Sequence, residues 1–302
     1  MIFKQSSLTL KGFSNEYKPL FEEFFDYLRK QGLCDNSIIT WRGRLFCLEY
    51  FLLNRNSERF EQIEIPHINE YIESLAGFSN STISATLGCF RRLFAYAYEN
   101  GYHAVNYAGA IPTVRRTKEY RLPNIFTPDD VAKILESSNR EYPIGKCNFA
   151  VLMLVARTGL RISDARELKF SAIDWDAKTI SVIRKKTRKP LELPLFEDVG
   201  WAIIDYLKHG RPIADCEYMF VSHQAPYTKL SLAFQKTVVE AVCKAGINID
   251  ANKPIGMHTF RHSIATAMLA SGAKITDIAP ALGHAEPKST ERYINTTVDM
   301  LR

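Results

Sequence analysis

The chain has 302 residues with 46% apolar side chains, enough for two cores and too apolar for disorder as a default. No stretch approaches the roughly 20 uncharged apolar residues that span a bilayer. The opening Met1-Ile2-Phe3-Lys4-Gln5-Ser6 lacks the order of a secretory signal, and the six scattered cysteines have no metal or redox spacing, so a soluble, reduced, cytoplasmic protein is expected. The net charge of +6 is uneven: residues 1–115 hold 12 basic and 12 acidic side chains, residues 116–302 hold 27 and 21. The positive excess lies in the second part, where it favours a polyanion.

Four helices are predicted in the first part. The first runs from about Asn15 to Lys30, with Leu20, Phe24, Tyr27 and Leu28 on one stripe and Ser14 as cap. The second opens after Asp35-Asn36-Ser37 and runs through Trp41, Leu45, Leu48 and Leu52. The third spans Pro66 to Leu75, with proline at a first-turn position. The fourth follows Ser79-Asn80-Ser81 and stops at Asn100-Gly101. Residues 103–126 read as a linker between domains at 1–115 and 116–302.

The second part is mixed. Thr127-Pro128-Asp129-Asp130 opens a helix with a cap, a first-turn proline and two acids. An apolar helix from Phe149 to Ala156 leads into Thr158-Gly159-Leu160-Arg161. Ile180–Ile183 and Leu191–Leu195 read as strands. The turn between them, Arg184-Lys185-Lys186-Thr187-Arg188-Lys189, packs five cations into six residues and reads mostly as a solvated hairpin tip. Helices follow near 197–209, 230–245, 258–271, 274–282 and 287–294. The fold class is mainly α with a small β-sheet.

Several short motifs carry chemistry. Arg161 follows an apolar helix and a Thr-Gly turn, and Asp164 lies one helical turn on, where it can hold a guanidinium. His258 and Arg261 are three apart on one predicted helix; His262 is expected to point away from them and to be structural. His284 follows Leu282-Gly283 at a turn, and Tyr293 comes nine residues later in Thr290-Glu291-Arg292-Tyr293. Guanidiniums match phosphate oxygens and stay charged at any working pH.

Together these motifs resemble the catalytic set of the tyrosine recombinases, the phage integrase family. The resemblance implies a two-domain fold: a helical core-binding domain followed by a catalytic domain of the recombinase type. It implies Tyr293 as nucleophile, with Arg161, His258, Arg261 and His284 around the phosphate and Asp164 in support. It places one hairpin lysine at the departing 5′ oxygen: Lys186, or Lys185 after a one-residue slip. Lys185 and Arg188 are further DNA contacts. Arg42, Arg44, Arg91 and Arg92 on the second and fourth helices are either phosphate contacts or ordinary surface arginines. The implied partners are double-stranded DNA with specific recombination sites and a homo-tetramer on synapsed DNA, with room for an accessory DNA-bending or directionality protein. No cofactor, metal or membrane is implied, and the site of action is the nucleoid. An arm-binding domain of the phage-lambda type is not expected, and only nine residues follow Tyr293, which leaves the link between subunits open.

Within the family, Lys186-Thr187 leans towards integration or excision of a mobile element, against Xer-type resolution of chromosome or plasmid dimers. Two other classes compete. A metal-dependent hydrolase would use His258, His262 and His284, but the segment lacks the zinc-helix glutamate and sets an arginine beside the cation. A DNA-binding protein without catalysis would not need every one of these positions filled.

Overall fold

The computed structural model describes residues 12–114, 124–184, 189–230, 234–248, 250 and 254–282. The chain divides into two compact units, Met1–Glu119 and Tyr120–Arg302.

The first unit is helical: α1 (Lys18–Lys30), α2 (Asp35–Leu53), α3 (Ile65–Ser74) and α4 (Asn80–Glu99). Its core is strongly aromatic, with Phe21, Phe24, Phe25, Phe60, Phe90 and Phe94 all buried. Each such ring contributes about 1.5–3 kcal/mol on burial. The Ser79 hydroxyl accepts from the Thr82 amide at 3.2 Å and starts α4. Ser14 does not cap α1, which begins at Lys18. Its amide and hydroxyl both donate at 2.7 Å to Glu49, a carboxylate buried on α2. That buried acid, invisible in local sequence, outcompetes the helix for Ser14. Helix α2 starts at Asp35, earlier than its cap-like residues suggest, with Cys34 at the capping position.

The second unit contains α5 (Pro128–Glu136), α6 (Pro143–Thr158), α7 (Ile162–Ala165), β1 (Ile173–Asp174), β2 (Thr179–Ile183), β3 (Pro190–Pro194), α8 (Glu197–His209), α9 (Gln235–Lys244), α10 (Met257–Ala270) and α11 (Ile275–Ala281). Thr127 and Asp130 cap α5 reciprocally: the Thr127 hydroxyl accepts from the Asp130 amide at 3.1 Å, and Asp130 Oδ2 accepts from the Thr127 amide at 2.9 Å. Helix α6 is apolar on nearly every side, and α8 and α10 pack against it, which makes it the axis of this core. The antiparallel sheet runs β1-β2-β3, with Ile180 opposite Leu193 and Val182 opposite Leu191. Strand β1, two residues long, offers no alternation to read. The helix expected near 287–294 and much of the expected linker lie outside the described residues. Among the described residues, no helix is long and apolar enough to cross a membrane.

Candidate active site

Helix α6 delivers Arg161. It stops at Thr158 because Gly159 turns left-handed, with φ 66°. The Thr158 hydroxyl donates to the Leu154 carbonyl at 2.6 Å and accepts from the Leu160 amide at 3.2 Å, which stiffens the turn. Arg161 then occupies the capping position of α7, and its carbonyl accepts from the Asp164 amide at 2.9 Å. Asp164 is buried one turn on, and the Ser163 hydroxyl donates to its carboxylate at 3.4 Å.

Helix α10 delivers His258 and Arg261. Arg261 is only 4% exposed. Its Nη1 donates to the Gly159 carbonyl at 2.7 Å, and its Nη2 donates to the Leu282 carbonyl. One guanidinium therefore ties together the turn that leads to Arg161 and the end of α11, two residues before His284. The approach is close: a Cβ on Gly159 would lie 2.7 Å from Leu282 Cδ2.

His258 is exposed, yet its imidazole titrates below the ordinary histidine value. Desolvation by the surrounding protein is the main cause, followed by the charges of Arg261 and then Arg161. Both guanidiniums thus bear electrostatically on one imidazole, although they come from segments about a hundred residues apart. Neutral imidazole is the favoured form near neutral pH. The side chain of His262 does not point away: its ring centroid lies 6.5 Å from that of His258, one helical turn back. Spacing of four brings two rings to one side of a helix, which the expectation for His262 overlooked.

Lys185, Lys186, Arg188, His284 and Tyr293 lie outside the described residues. Both ends of the basic turn are described. Arg184 is 8% exposed and so is no part of a solvated tip.

In the first unit the four candidate arginines, Arg42, Arg44, Arg91 and Arg92, differ in their surroundings. Arg42 pairs with Glu22 at 3.0 Å, and its guanidinium lies 5.0 Å from the Phe13 ring centre. Arg92 lies over Trp41, 5.4 Å from the ring centre. Arg44 and Arg92 both bear on Cys89, whose thiol is pushed up to about 12 by burial while the two cations pull it down. Arg91 is partly buried, and its Nε has no hydrogen-bond partner among the described residues. Local sequence carried no sign of the bonds that Arg261 makes. Nor did it show the inward side chain of Arg184, which only the alternation of β2 could have suggested.

The profile of the phage integrase family matches residues 124–299. The putative integrase/recombinase y4gC of Sinorhizobium fredii is 36% identical over 60% of this chain and 93% of its own length. Tyrosine recombinase XerD of Yersinia pestis is 27% identical over 94% of this chain and 95% of its own. In fold the chain is similar to a chain from the crystal structure of a lambda integrase tetramer bound to a Holliday junction, with a TM-score of 0.69 at 16% identity, covering 91% of this chain and 76% of that one. By fold, sequence and the convergence of its distant motifs, the chain belongs to the phage integrase family and is a site-specific tyrosine recombinase.

Proposed function

We propose that Tyr293 attacks a specific phosphate in duplex DNA, with Arg161, Arg261, His258 and His284 arranged around the phosphate oxygens. A bond forms between the phenolic oxygen and phosphorus, and the bond from phosphorus to the 5′ oxygen breaks. Lys186, or Lys185 in the alternative register, gives the leaving oxygen its proton. The freed 5′ hydroxyl of the partner strand then attacks the 3′-phosphotyrosyl bond and releases the tyrosine. One phosphodiester replaces another, so no nucleotide is consumed. A phenol of pKa near 10 is a weak nucleophile at neutral pH, and two cations at the phosphate favour the phenolate.

The observation that carries this reading is geometric: Arg261, one helical turn from His258 on α10, donates to the Gly159 carbonyl at the turn that leads to Arg161. Arg261 makes a narrower contribution than a free clamp, because two of its donors serve carbonyl groups. Asp164 supports the Arg161 turn. The proposed phosphate contacts are Arg44, Arg91 and Arg92 in the helical unit and Lys185 and Arg188 in the second. Arg42, paired and stacked, contributes least.

The biological role is integration or excision of a mobile element, by a tetramer on synapsed DNA in the cytoplasm. The tetrameric lambda integrase complex supports the assembly. Resolution of chromosome or plasmid dimers is the second reading, favoured by the end-to-end match to XerD. Purified protein should exchange strands between two duplexes carrying its site, in EDTA and without nucleotide. Activity that a chelator abolishes would overturn the mechanism. Sequencing the DNA held in covalent adducts separates the roles: element ends fit the first, and a single chromosomal or plasmid locus fits the second.

A further inference from the structure

Helix α10 carries His258 and Arg261, and its capping position is Gly256, which has no side chain with which to fix where the helix begins. A second tie lies further along. Ser263 is buried on the face of α10 that also buries Phe260. A hydroxyl set among apolar side chains is costly unless its bonds are made. Here they are. It donates to the Thr259 carbonyl at 2.8 Å, a back-bond common for helical serines. It also accepts from the Phe126 amide at 2.7 Å, and this bond spans 137 positions. Beside it the Phe126 and Phe260 rings meet with centroids 5.0 Å apart. The segment just ahead of α5 is therefore held on α10 by one aromatic contact and one short polar bond. Apolar packing is non-directional and tolerates sliding, whereas a hydrogen bond of this length does not. Two residues before Ser263, Arg261 bonds the Gly159 carbonyl. The helix is thus tied to two separate segments from neighbouring positions.

We infer that Ser263 is a positioning residue for the recombination reaction: by bonding α10 to the segment ahead of α5 it fixes the helix along its axis, and with it His258 and Arg261. This rests on the proposed roles of those two residues at the phosphate. Ser263 itself touches neither substrate nor the reacting atoms. Fixing register is the use of a buried polar group that is best attested in other folds. The position of α10 also sets the surroundings of the His258 ring, which Arg261, Arg161 and the ring of His262 flank. A helix free to shift would return water to that ring and relax its pKa upward, towards the ordinary histidine value.

The test is single-turnover cleavage of a nicked duplex of the sequence that the wild-type protein cleaves, at saturating full-length protein, from about pH 5 to 8. Ser263→Ala removes the hydroxyl, and alanine, the better helix former, does not weaken α10 through propensity. It should cleave at least about 10-fold more slowly, since a misplacement on the order of 1 Å can cost about 10²-fold. Its affinity for the duplex should stay within about 3-fold of wild type, because the phosphate contacts are kept. The acid limb of its pH–rate profile should move to higher pH. Ser263→Thr keeps the hydroxyl and should restore both rate and limb. Val238→Ala truncates a buried side chain on α9 and controls for lowered stability alone; it should keep the wild-type rate and limb. A wild-type rate or an unmoved limb in Ser263→Ala, equal slowing in Val238→Ala, or a defect that threonine does not relieve would overturn the inference. If alanine at 263 does not fold, Ser263→Cys, similar in volume but a weak acceptor, is read by the same criteria. His258→Gln and Arg261→Ala run alongside. If both cleave as wild type, the reading of the phosphate site fails and this inference falls with it. If they are impaired and Ser263→Ala is not, only the inference fails.

Discussion

Arg261 is a charged side chain that the fold treats as part of its core, and this separates it from Arg161. Both are proposed to act at the phosphate, so Arg161→Ala and Arg261→Ala should each slow cleavage on the order of 10²-fold or more. DNA affinity should fall far less, because many phosphate contacts remain. Stability should distinguish them. Arg261→Ala strips the Gly159 and Leu282 carbonyls of their donors, at about 1–3 kcal/mol for buried groups left unpaired. A thermal melt should show a lower Tm for Arg261→Ala than for Arg161→Ala; equal melting temperatures would remove the structural half of that role. His258 adds a pH prediction. Its folded pKa lies below its unfolded value near 6.5, so the associated stability is present above that value and is lost as pH falls through the folded pKa. Cleavage that needs the neutral ring should hold at pH 6.5 and decline below it. His258→Gln should lose that acid limb from the pH–rate profile, and an unchanged limb would assign it to another group.

At the scale of elements, the regular segments were legible and the irregular ones were not. Thr127-Pro128-Asp129-Asp130 announced α5 because a capping box is entirely local. The apolar run of α6 was legible for the same reason, although it marked the middle of the helix and missed its first and last turns. Ser14 failed as a cap because its partner, Glu49, is 35 residues away. Helix α7 and β1 are too short to impose a period. The motif residues were legible through their resemblance to a family; the linkage among them was not, since Arg261 reaches a carbonyl 102 positions away. The Gly159 turn is where that linkage is most exposed to test. Gly159→Ala asks alanine to adopt a left-handed backbone, costing about 1–2 kcal/mol, and sets a methyl against Leu282. A lower Tm and slower cleavage should appear together. Full cleavage activity in a normally folded Gly159→Ala protein would show that the turn's geometry does not govern Arg161.

For the whole molecule, the two units divide the charge as they divide the motifs. The first is close to balanced, at net +1, and aromatic in its core; the remaining +5 lies with the second, which carries both described arginine motifs. That division fits a reaction whose electrostatic demand centres on one phosphate, with the helical unit supplying grip. The central claim is that this demand is met around a covalent protein–DNA bond at Tyr293. Incubation of the wild-type and Tyr293→Phe proteins with a nicked suicide duplex of the recombination site, resolved on a denaturing gel, tests it directly. The wild type should yield a covalent adduct, and Tyr293→Phe, lacking a single oxygen, should bind the duplex with similar affinity and yield none. An adduct that persists in Tyr293→Phe would contradict the account.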